Sequence, residues 1–242
     1  MDPRVTLLKE FYEGLPTDRA KVETHAHGFA YLEELLLGGA RLEYGELTLS
    51  ATLHKYKLVN LTERRMDELL LAHVEKRLNL CRYFDDRANW TFCFNLDNNH
   101  RTDNTAIIPE MALAIRLLRE GLERAGCAPL ILASGRGYHA WGRLDAPVEN
   151  DRLHAFMLRH AVETAAGIHF AGLDRHKVKF NFYPDPRTQD TVSLRLFGSD
   201  HAKNRLFSRV LTPDGLLDEA ASWKYFENHR RTGTMAARKI AP

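Results

Sequence analysis

The sequence predicts an α+β fold in which a mixed or antiparallel sheet is covered by helices. From residue 89 onward, short apolar runs with a period of two are separated by two longer runs with the 3.6-residue period of amphipathic helices. Their order is strand, helix, hairpin, helix, strand, loop and strand, without an internal repeat. We therefore expect a sheet-containing core over residues 89–211, a mainly helical N-terminal region over residues 1–88, and a helical basic tail over residues 212–242.

Composition and charge are those of an ordinary globular protein. The 242 residues are 44% hydrophobic and 27% charged, and they contain no apolar run of about 18 residues that would predict a membrane span. Cys81, Cys93 and Cys127 are too widely spaced for a disulfide framework or a zinc knuckle, so we expect a cytoplasmic protein without a membrane partner. The net charge of +2 permits nucleic-acid binding without requiring it.

The N-terminal region is predicted to be mainly helical because two segments have helical spacing. Apolar residues within 7–11 fit a short first helix. Thr62 is a suitable N-cap for a longer helix, whose apolar face we expect to extend from Met66 to Cys81. Between these helices, apolar residues on both sides of Gly45 predict one hairpin.

The first strand of the predicted core ends in polar groups. Residues 90–97 form an apolar strand in which Asn95 and Asp97 are two residues apart, so both side chains project from the same face. A polar loop follows. Pro109 then opens an amphipathic helix, which Gly126 ends.

A glycine-rich hairpin after that helix carries a hydroxyl, a guanidinium and an imidazole group. Four apolar residues form a short strand that leads into Ser134-Gly-Arg136-Gly-Tyr-His139. After the turn, apolar Tyr138 and Ala140 alternate with His139, as in a strand. Glycines that expose backbone N–H groups beside an arginine fork are suited to cradle a phosphate. An ordinary turn with a solvated arginine is the alternative.

One further helix and two further strands complete the predicted core. The helix extends over residues 151–166. The strand over residues 177–183 places Asn181 on one face and its phenylalanines on the other. A last strand over residues 191–197 leads into a polar stretch over residues 198–204.

Polar side chains on these strands indicate one kind of chemistry. They are Asn95 and Asp97 on the first strand, Ser134, Arg136 and His139 on the hairpin, and Asn181 followed by Arg195 and Lys203 further along the chain. Nucleotide polymerisation requires ligands for divalent metals, which activate a 3′ hydroxyl, and donors that bind a triphosphate. Oxygen ligands on two neighbouring strands, together with a cluster of Arg, Lys and His, provide that layout.

The order of these motifs resembles the catalytic core of the archaeo-eukaryotic primase superfamily, which includes primase small subunits, primase-polymerases and the polymerase domains of bacterial repair ligases. The family's first motif, apolar residues followed by acid-apolar-acid, is similar to residues 92–97. Its second motif, Ser-Gly-x-Gly-x-His-x-Trp, is similar to residues 134–141, and its third, a strand ending in Asp, to residues 178–181. Residues 194–203 resemble its Arg-x-Pro-Gly-Ser-x-His-x-Lys stretch. The resemblance covers residues 89–211.

The resemblance implies an RRM-like core that acts as a template-directed nucleotidyltransferase, making or extending short primers by two-metal phosphoryl transfer with Mn²⁺ or Mg²⁺. It implies nucleoside triphosphates and a single-stranded or primed nucleic-acid template as partners, with a helicase or another replication subunit as a further candidate. By the same resemblance, the metal positions are Asn95, Asp97 and Asn181, the triphosphate ligands are Ser134, Arg136 and His139, and the residues that assist the triphosphate or the template are Arg195, His201 and Lys203.

The sequence departs from the family at two of the three metal positions. Asn95 and Asn181 stand where the resemblance implies aspartates, and a neutral amide oxygen does not offset the charge of two divalent cations and a triphosphate. Three explanations remain open: deliberate Asp→Asn replacement that traps a substrate complex, a natural protein that binds without catalysis, or a further carboxylate from Asp103, Asp185 or Asp190 that completes the site.

Three functions are therefore compatible with the sequence. The first is a primase or primase-polymerase. The second is a catalytically silent nucleotide-binding or nucleic-acid-binding module of the same fold, which the paired asparagines and the basic tail favour. The third is an unrelated metal-dependent phosphoesterase or phosphate-binding protein, which would release phosphate from simple esters. The chain has no cysteine- and histidine-rich zinc insert, so it resembles a compact member of the family.

Overall fold

A computed structural model describes residues 2–25, 41–44, 53–99, 107–135, 137–187, 193–201 and 205–240. Numbered along the chain, the helices are α1 (Pro3–Phe11), α2 (Glu63–Val74), α3 (Pro109–Arg124), α4 (Asn150–Phe170) and α5 (Glu219–Thr232). The strands are β1 (Ala20–His25), β2 (Arg41–Tyr44), β3 (Leu53–Val59), β4 (Asn79–Tyr83), β5 (Ala88–Asn98), β6 (Leu130–Ala133), β7 (Gly137–Glu149), β8 (Val178–Tyr183), β9 (Ser193–Arg195), β10 (Arg209–Thr212), β11 (Gly215–Leu216) and β12 (Thr234–Met235). Within these ranges, no helix is long and apolar enough to cross a bilayer.

The chain forms two compact units, and each contains two separate stretches of sequence. The first unit comprises Met1–Asp85 and Asp190–Ser208, and the second comprises Asp86–Gln189 and Arg209–Pro242. These bounds differ from the three ranges that the sequence suggested. The functional roles of residues 1–88, 89–211 and 212–242 stay predictions.

The first unit is built on an antiparallel sheet in the order β2-β3-β1-β4-β9, accompanied by α1 and α2. The expectation of a mainly helical N-terminal region is therefore wrong for the described residues. In β1, buried Ala20 and Val22 alternate with half-buried Lys21 and Glu23. Because its apolar residues are so few, this strand leaves only a faint periodic signal in the sequence.

The helix that begins after Thr62 is shorter than its apolar spacing predicts. The Thr62 hydroxyl accepts a hydrogen bond from Arg65 N at 3.3 Å, which confirms the predicted N-cap. The helix ends at Val74, however, and Lys76, two residues later, has a left-handed φ of 62°. Cys81 lies instead in β4, where all five residues are buried between β1 and β9. Helical spacing and a fully buried strand give similar apolar patterns over so few residues.

The second unit contains a seven-stranded sheet, with the order β11-β10-β6-β7-β5-β8 and with β12 beside β7. The β12–β7 pair is parallel and the other pairs are antiparallel. Together with the flanking helices, this sheet confirms the α+β class.

The core of the second unit lies between this sheet and the helices α3 and α4. Phe92, Phe94 and Leu96 of β5 face that core, and the alternate residues face the other way. The predicted inward faces of both helices are buried, from Met111 on α3 to Ala161 on α4. One face of the sheet is therefore covered by helices, and Asn95 and Asp97 of β5 lie on the opposite face.

Candidate functional site

The strands β5, β7 and β8 bring the predicted metal positions of the second unit together. Asn95 lies opposite Asn181 in the antiparallel pair β5–β8 and opposite His139 in the pair β5–β7. Directly opposite residues of antiparallel strands project from the same face. Asp97 projects from that face as well, because it is two residues from Asn95. The side chains therefore meet on the face of the sheet that points away from α3 and α4.

Asp97 accepts hydrogen bonds from both asparagines. Nδ2 of Asn95 donates to Oδ2 of Asp97 at 2.9 Å, and Nδ2 of Asn181 donates to the same oxygen at 3.0 Å. All three residues are half-buried. One carboxylate oxygen thus joins two amide groups from adjacent strands, and we call these three residues the Asn–Asp–Asn cluster.

The glycine-rich hairpin between β6 and β7 places Ser134 and His139 near this end of the sheet. Backbone N of Ser134 donates to the carbonyl oxygen of Gly137 at 2.8 Å, which closes the turn. Gly135 has a φ of 92°, a left-handed conformation that favours glycine. The side chains of Ser134 and His139 are 5% and 7% exposed, so a ligand would reach only their outer atoms.

Gly137 allows β7 to approach β5 closely. It lies opposite Asp97, and a Cβ atom on Gly137 would overlap the carbonyl oxygen of Leu96. The second glycine of the hairpin therefore serves strand packing beside the cluster, in addition to the turn itself.

Lys179 is a further charged residue at the cluster, to which the sequence analysis assigned no role. It lies opposite Asp97 in the β5–β8 pair and is exposed. Directly opposite residues of antiparallel strands have Cβ atoms about 5 Å apart, so the Lys179 side chain starts beside the one carboxylate of the cluster. The alternation of Lys179 and Asn181 along one strand face was the signal that could have identified it.

Asp185, one of the three carboxylates that might have completed a metal site, lies on the other side of the sheet. Its carboxylate accepts hydrogen bonds from Nε and Nη2 of Arg187 at 2.9 and 2.8 Å, and these bonds lower the pKa of Asp185. Its Oδ1 is 4.0 Å from Nε2 of His154, whose ring contacts Phe182 on the α4 side. Asn181 points to the opposite side, so Asp185 is apart from the cluster.

Arg195 and His201, the other described residues of the predicted site, belong to the first unit. Arg195 is buried in β9 opposite Cys81, and burial lowers the pKa of its guanidinium group. Backbone N of His201 donates to the carbonyl oxygen of Leu206 at 2.7 Å in the loop after β9.

Four of the predicted site residues and candidate carboxylates lie outside the described residues, as does Gly45, the turn of the predicted N-terminal hairpin. The four are Arg136 and Lys203, which were assigned to phosphate binding, and Asp103 and Asp190, which were considered as additional carboxylates.

The cluster does not fit a two-metal centre. Amide oxygens can bind Mg²⁺ or Mn²⁺, yet both amides here direct Nδ2 toward Asp97, and Oδ2 of Asp97 already accepts two hydrogen bonds. The cluster contains a single carboxylate, which supplies too little negative charge to offset two divalent cations. Within the described ranges, no group of three or more His, Cys, Asp or Glu residues is arranged to hold a metal ion.

Comparisons with known proteins show a structural likeness without a match in sequence. No protein-family model matches the chain, and no curated protein sequence matches it. Among solved structures, the chain is similar to the polymerase domain from Mycobacterium tuberculosis Ligase D in complex with DNA, with 12% sequence identity and a TM-score of 0.48. The similarity covers 96% of this chain and 88% of that chain.

Proposed function

We propose that the second unit carries the nucleotide-binding site of a primase-type nucleotidyltransferase, in a form whose metal site is reduced to one carboxylate. Its ligands are nucleoside triphosphates and a single-stranded or primed nucleic-acid template. The observation that carries the proposal is the meeting of Asn95, Asp97 and Asn181 at one carboxylate oxygen, on the strands where the resemblance implies three metal-binding acids.

The surroundings of the cluster favour binding of an anion. Lys179, opposite Asp97 on the neighbouring strand, would bring a positive charge to this face, and Ser134 and His139 supply donors from the adjoining hairpin. Backbone N–H groups at the Gly135 turn, with Arg136, add to those donors in the proposal. A triphosphate would thus meet a surface close to neutral or positive. In a site with three carboxylates, by contrast, metal ions would be needed to offset the repulsion between the carboxylates and the triphosphate.

Three further residues have a supporting role in the proposal. Arg195, His201 and Lys203 assist the triphosphate or the template strand, as the resemblance implies. A helicase or another replication subunit would supply the template in its single-stranded form.

Slow or absent polymerisation is the expected state of the chain as written. Replacing a metal-binding carboxylate by an amide removes charge that stabilises the transition state, and two such replacements act at the same centre. The catalytically silent binding module is therefore the reading that the cluster favours.

An active, Mn²⁺- or Mg²⁺-dependent primase remains a second candidate because of where Asp97 lies. Asp97 is the penultimate residue of β5, so the chain that follows, which includes Asp103, starts beside the cluster. A carboxylate from that segment would give Asp97 a second acid for a divalent ion.

Nucleotide binding tests the proposal directly. We expect calorimetric titration with a non-hydrolysable nucleoside triphosphate to show binding, which His139→Ala weakens about tenfold by removing a donor to the phosphate. His176→Ala is the matched control, because His176 is exposed in the turn before β8. Absence of binding by the unmodified chain, or equal losses in the two variants, would contradict the proposal.

A further inference from the structure

The outward face of α4 exposes apolar side chains along its middle, next to the charged residues Arg159 and Glu163. Leu158 and Val162 are 46% and 60% exposed, and Ala155 is exposed between them and the start of the helix. Of the six large apolar side chains that are exposed in the described ranges, three lie on α4, and the third is Phe170 at its last residue. Leu158 and Val162 are four residues apart and share one face of the helix, which distinguishes them from the single exposed apolar residues that are common on protein surfaces.

One line of residues on α4, all exposed except half-buried Ala165, has the spacing of a helix-packing seam. Residues 151, 155, 158, 162, 165 and 169 are separated alternately by four and three residues, which places them in one line along the helix. The inward residues of the same helix, such as Leu153 and Phe156, are buried against the sheet. The helix therefore has two apolar faces, of which the structure covers one.

This line of residues is symmetric about position 160. In an antiparallel pair of α4 helices centred there, Leu158 faces the partner's Val162, and Ala155 faces the partner's Ala165. Asp151 faces the partner's His169 at both ends of the contact. Large side chains thus meet at the centre, small ones allow close approach outside them, and a carboxylate meets an imidazole donor at each end.

We propose that α4 is the contact surface of a symmetric dimer of this chain, in which the two copies of the helix pack antiparallel about position 160. The Asp151–His169 pairs determine the orientation, because a parallel arrangement would place the two Asp151 carboxylates together. The contact lies on the side of the sheet opposite the Asn–Asp–Asn cluster, so dimerisation leaves the face of the cluster open and is independent of the proposed function.

The size of the surface determines how tight the dimer can be. The 21 residues of α4 form a helix about 32 Å long. A single helix-to-helix contact of that length is at the small end of specific protein interfaces. We therefore expect a dimer that dissociates on dilution.

Sedimentation velocity of the full chain between about 1 and about 200 µM tests the proposal. We expect a monomer at the lowest concentrations and a dimer at the highest. Leu158→Asp should raise the dissociation constant at least about tenfold, because the introduced carboxylate faces an apolar side chain. The matched control is Leu216→Asp, since Leu216 is 40% exposed and lies on β11, and this variant should dimerise as the unmodified chain does.

A double variant separates loss of the contact from loss of folding. Leu158→Asp combined with Val162→Lys should recover the dimer that Leu158→Asp loses, because each introduced carboxylate then faces an introduced ammonium in the partner helix. Circular dichroism spectra that match those of the unmodified chain would verify that the variants fold. A chain that stays monomeric at all concentrations, or a dimer that Leu158→Asp leaves unchanged, would overturn the proposal.

Cross-linking tests the register of the two helices. A mixture of a Leu158→Cys chain and a Val162→Cys chain should form an intermolecular disulfide more readily than either chain alone. The native thiols do not interfere, because Cys81, Cys93 and Cys127 are buried. Equal cross-linking of the mixture and of the separate chains would contradict pairing about position 160.

Discussion

At the scale of single residues, the most informative group is the carboxylate of Asp97, whose Oδ2 accepts amide hydrogens from Asn95 and Asn181. The sequence predicts that Asn95 and Asp97 share a strand face, since they are two residues apart. It does not reveal which strand lies beside β5 or in which register, so the pairing of Asn95 with Asn181 emerges only from the structure. The amide orientation that joins all three residues emerges there as well.

Gly137 provides a test of the close approach of β5 and β7. In a Gly137→Ala variant the added methyl group would overlap the carbonyl oxygen of Leu96, which as backbone can move only with its strand. We expect urea titration to show a loss of about 2–3 kcal/mol in the free energy of unfolding, in the range of other overpacked sites.

The matched control for this glycine is Gly172→Ala. Gly172 has a φ of 75°, and a Cβ atom there would meet nothing within 4 Å. That variant should lose only the conformational cost of about 1 kcal/mol. Equal losses in the two variants would mean that the contact with Leu96 is unimportant.

At the scale of secondary-structure elements, His73 connects three segments of the first unit. Its Nδ1 accepts a hydrogen bond from Leu80 N at 3.0 Å, so Nε2 carries the proton and donates to the carbonyl oxygen of Phe197 at 3.0 Å. The imidazole thus ties α2 to β4 and to the residues after β9. Protonation of Nδ1 would remove the first of these bonds.

This arrangement predicts a dependence of stability on pH. Burial lowers the pKa of His73 from 6.5 to about 4. Because the unfolded chain then binds the proton more tightly, the stabilisation is complete above pH 6.5 and is lost as pH falls toward 4. We expect the free energy of unfolding to be about 2 kcal/mol lower at pH 5 than at pH 7 on account of this group.

A His73→Gln variant, compared by urea titration at the two pH values, isolates this contribution. The variant should be less stable at pH 7 and should lose less stability between pH 7 and pH 5. His229, whose pKa burial also lowers to about 4, stays in both chains and contributes equally to both. An unchanged difference between the two pH values would show that His73 is not responsible.

The elements that the sequence predicts well are those with a strong and uninterrupted period. The helix that begins at Pro109 and the alternation of faces along β7 and β8 agree with the structure. The apolar residues of β4 instead predict the end of a helix, which is wrong. The five residues of this strand are all buried, so they lack the alternation that identifies a half-exposed strand.

At the scale of the whole molecule, the division into two units depends on pairings between distant parts of the sequence. Strand β9 pairs with β4, so that Arg195 lies opposite Cys81, and β10 pairs with β6. Local patterns predict that these strands exist but contain no information on their partners. The sequence therefore predicts the fold class and the order of motifs, whereas the assignment of each motif to a unit requires the structure.

The central claim at this scale is that the proposed site has too little negative charge for catalysis. Nucleotide incorporation on a primed single-stranded template with Mn²⁺ tests this claim most directly. The chain as written is compared with the double variant Asn95→Asp/Asn181→Asp. We predict that the chain as written incorporates little and that the variant is at least about 100-fold faster, because carboxylates then occupy all three positions of the cluster. Equal rates in the two chains would contradict the claim that the amides silence the site. Inactivity of both, with nucleotide binding retained, would contradict the proposal that this is a nucleotidyltransferase site.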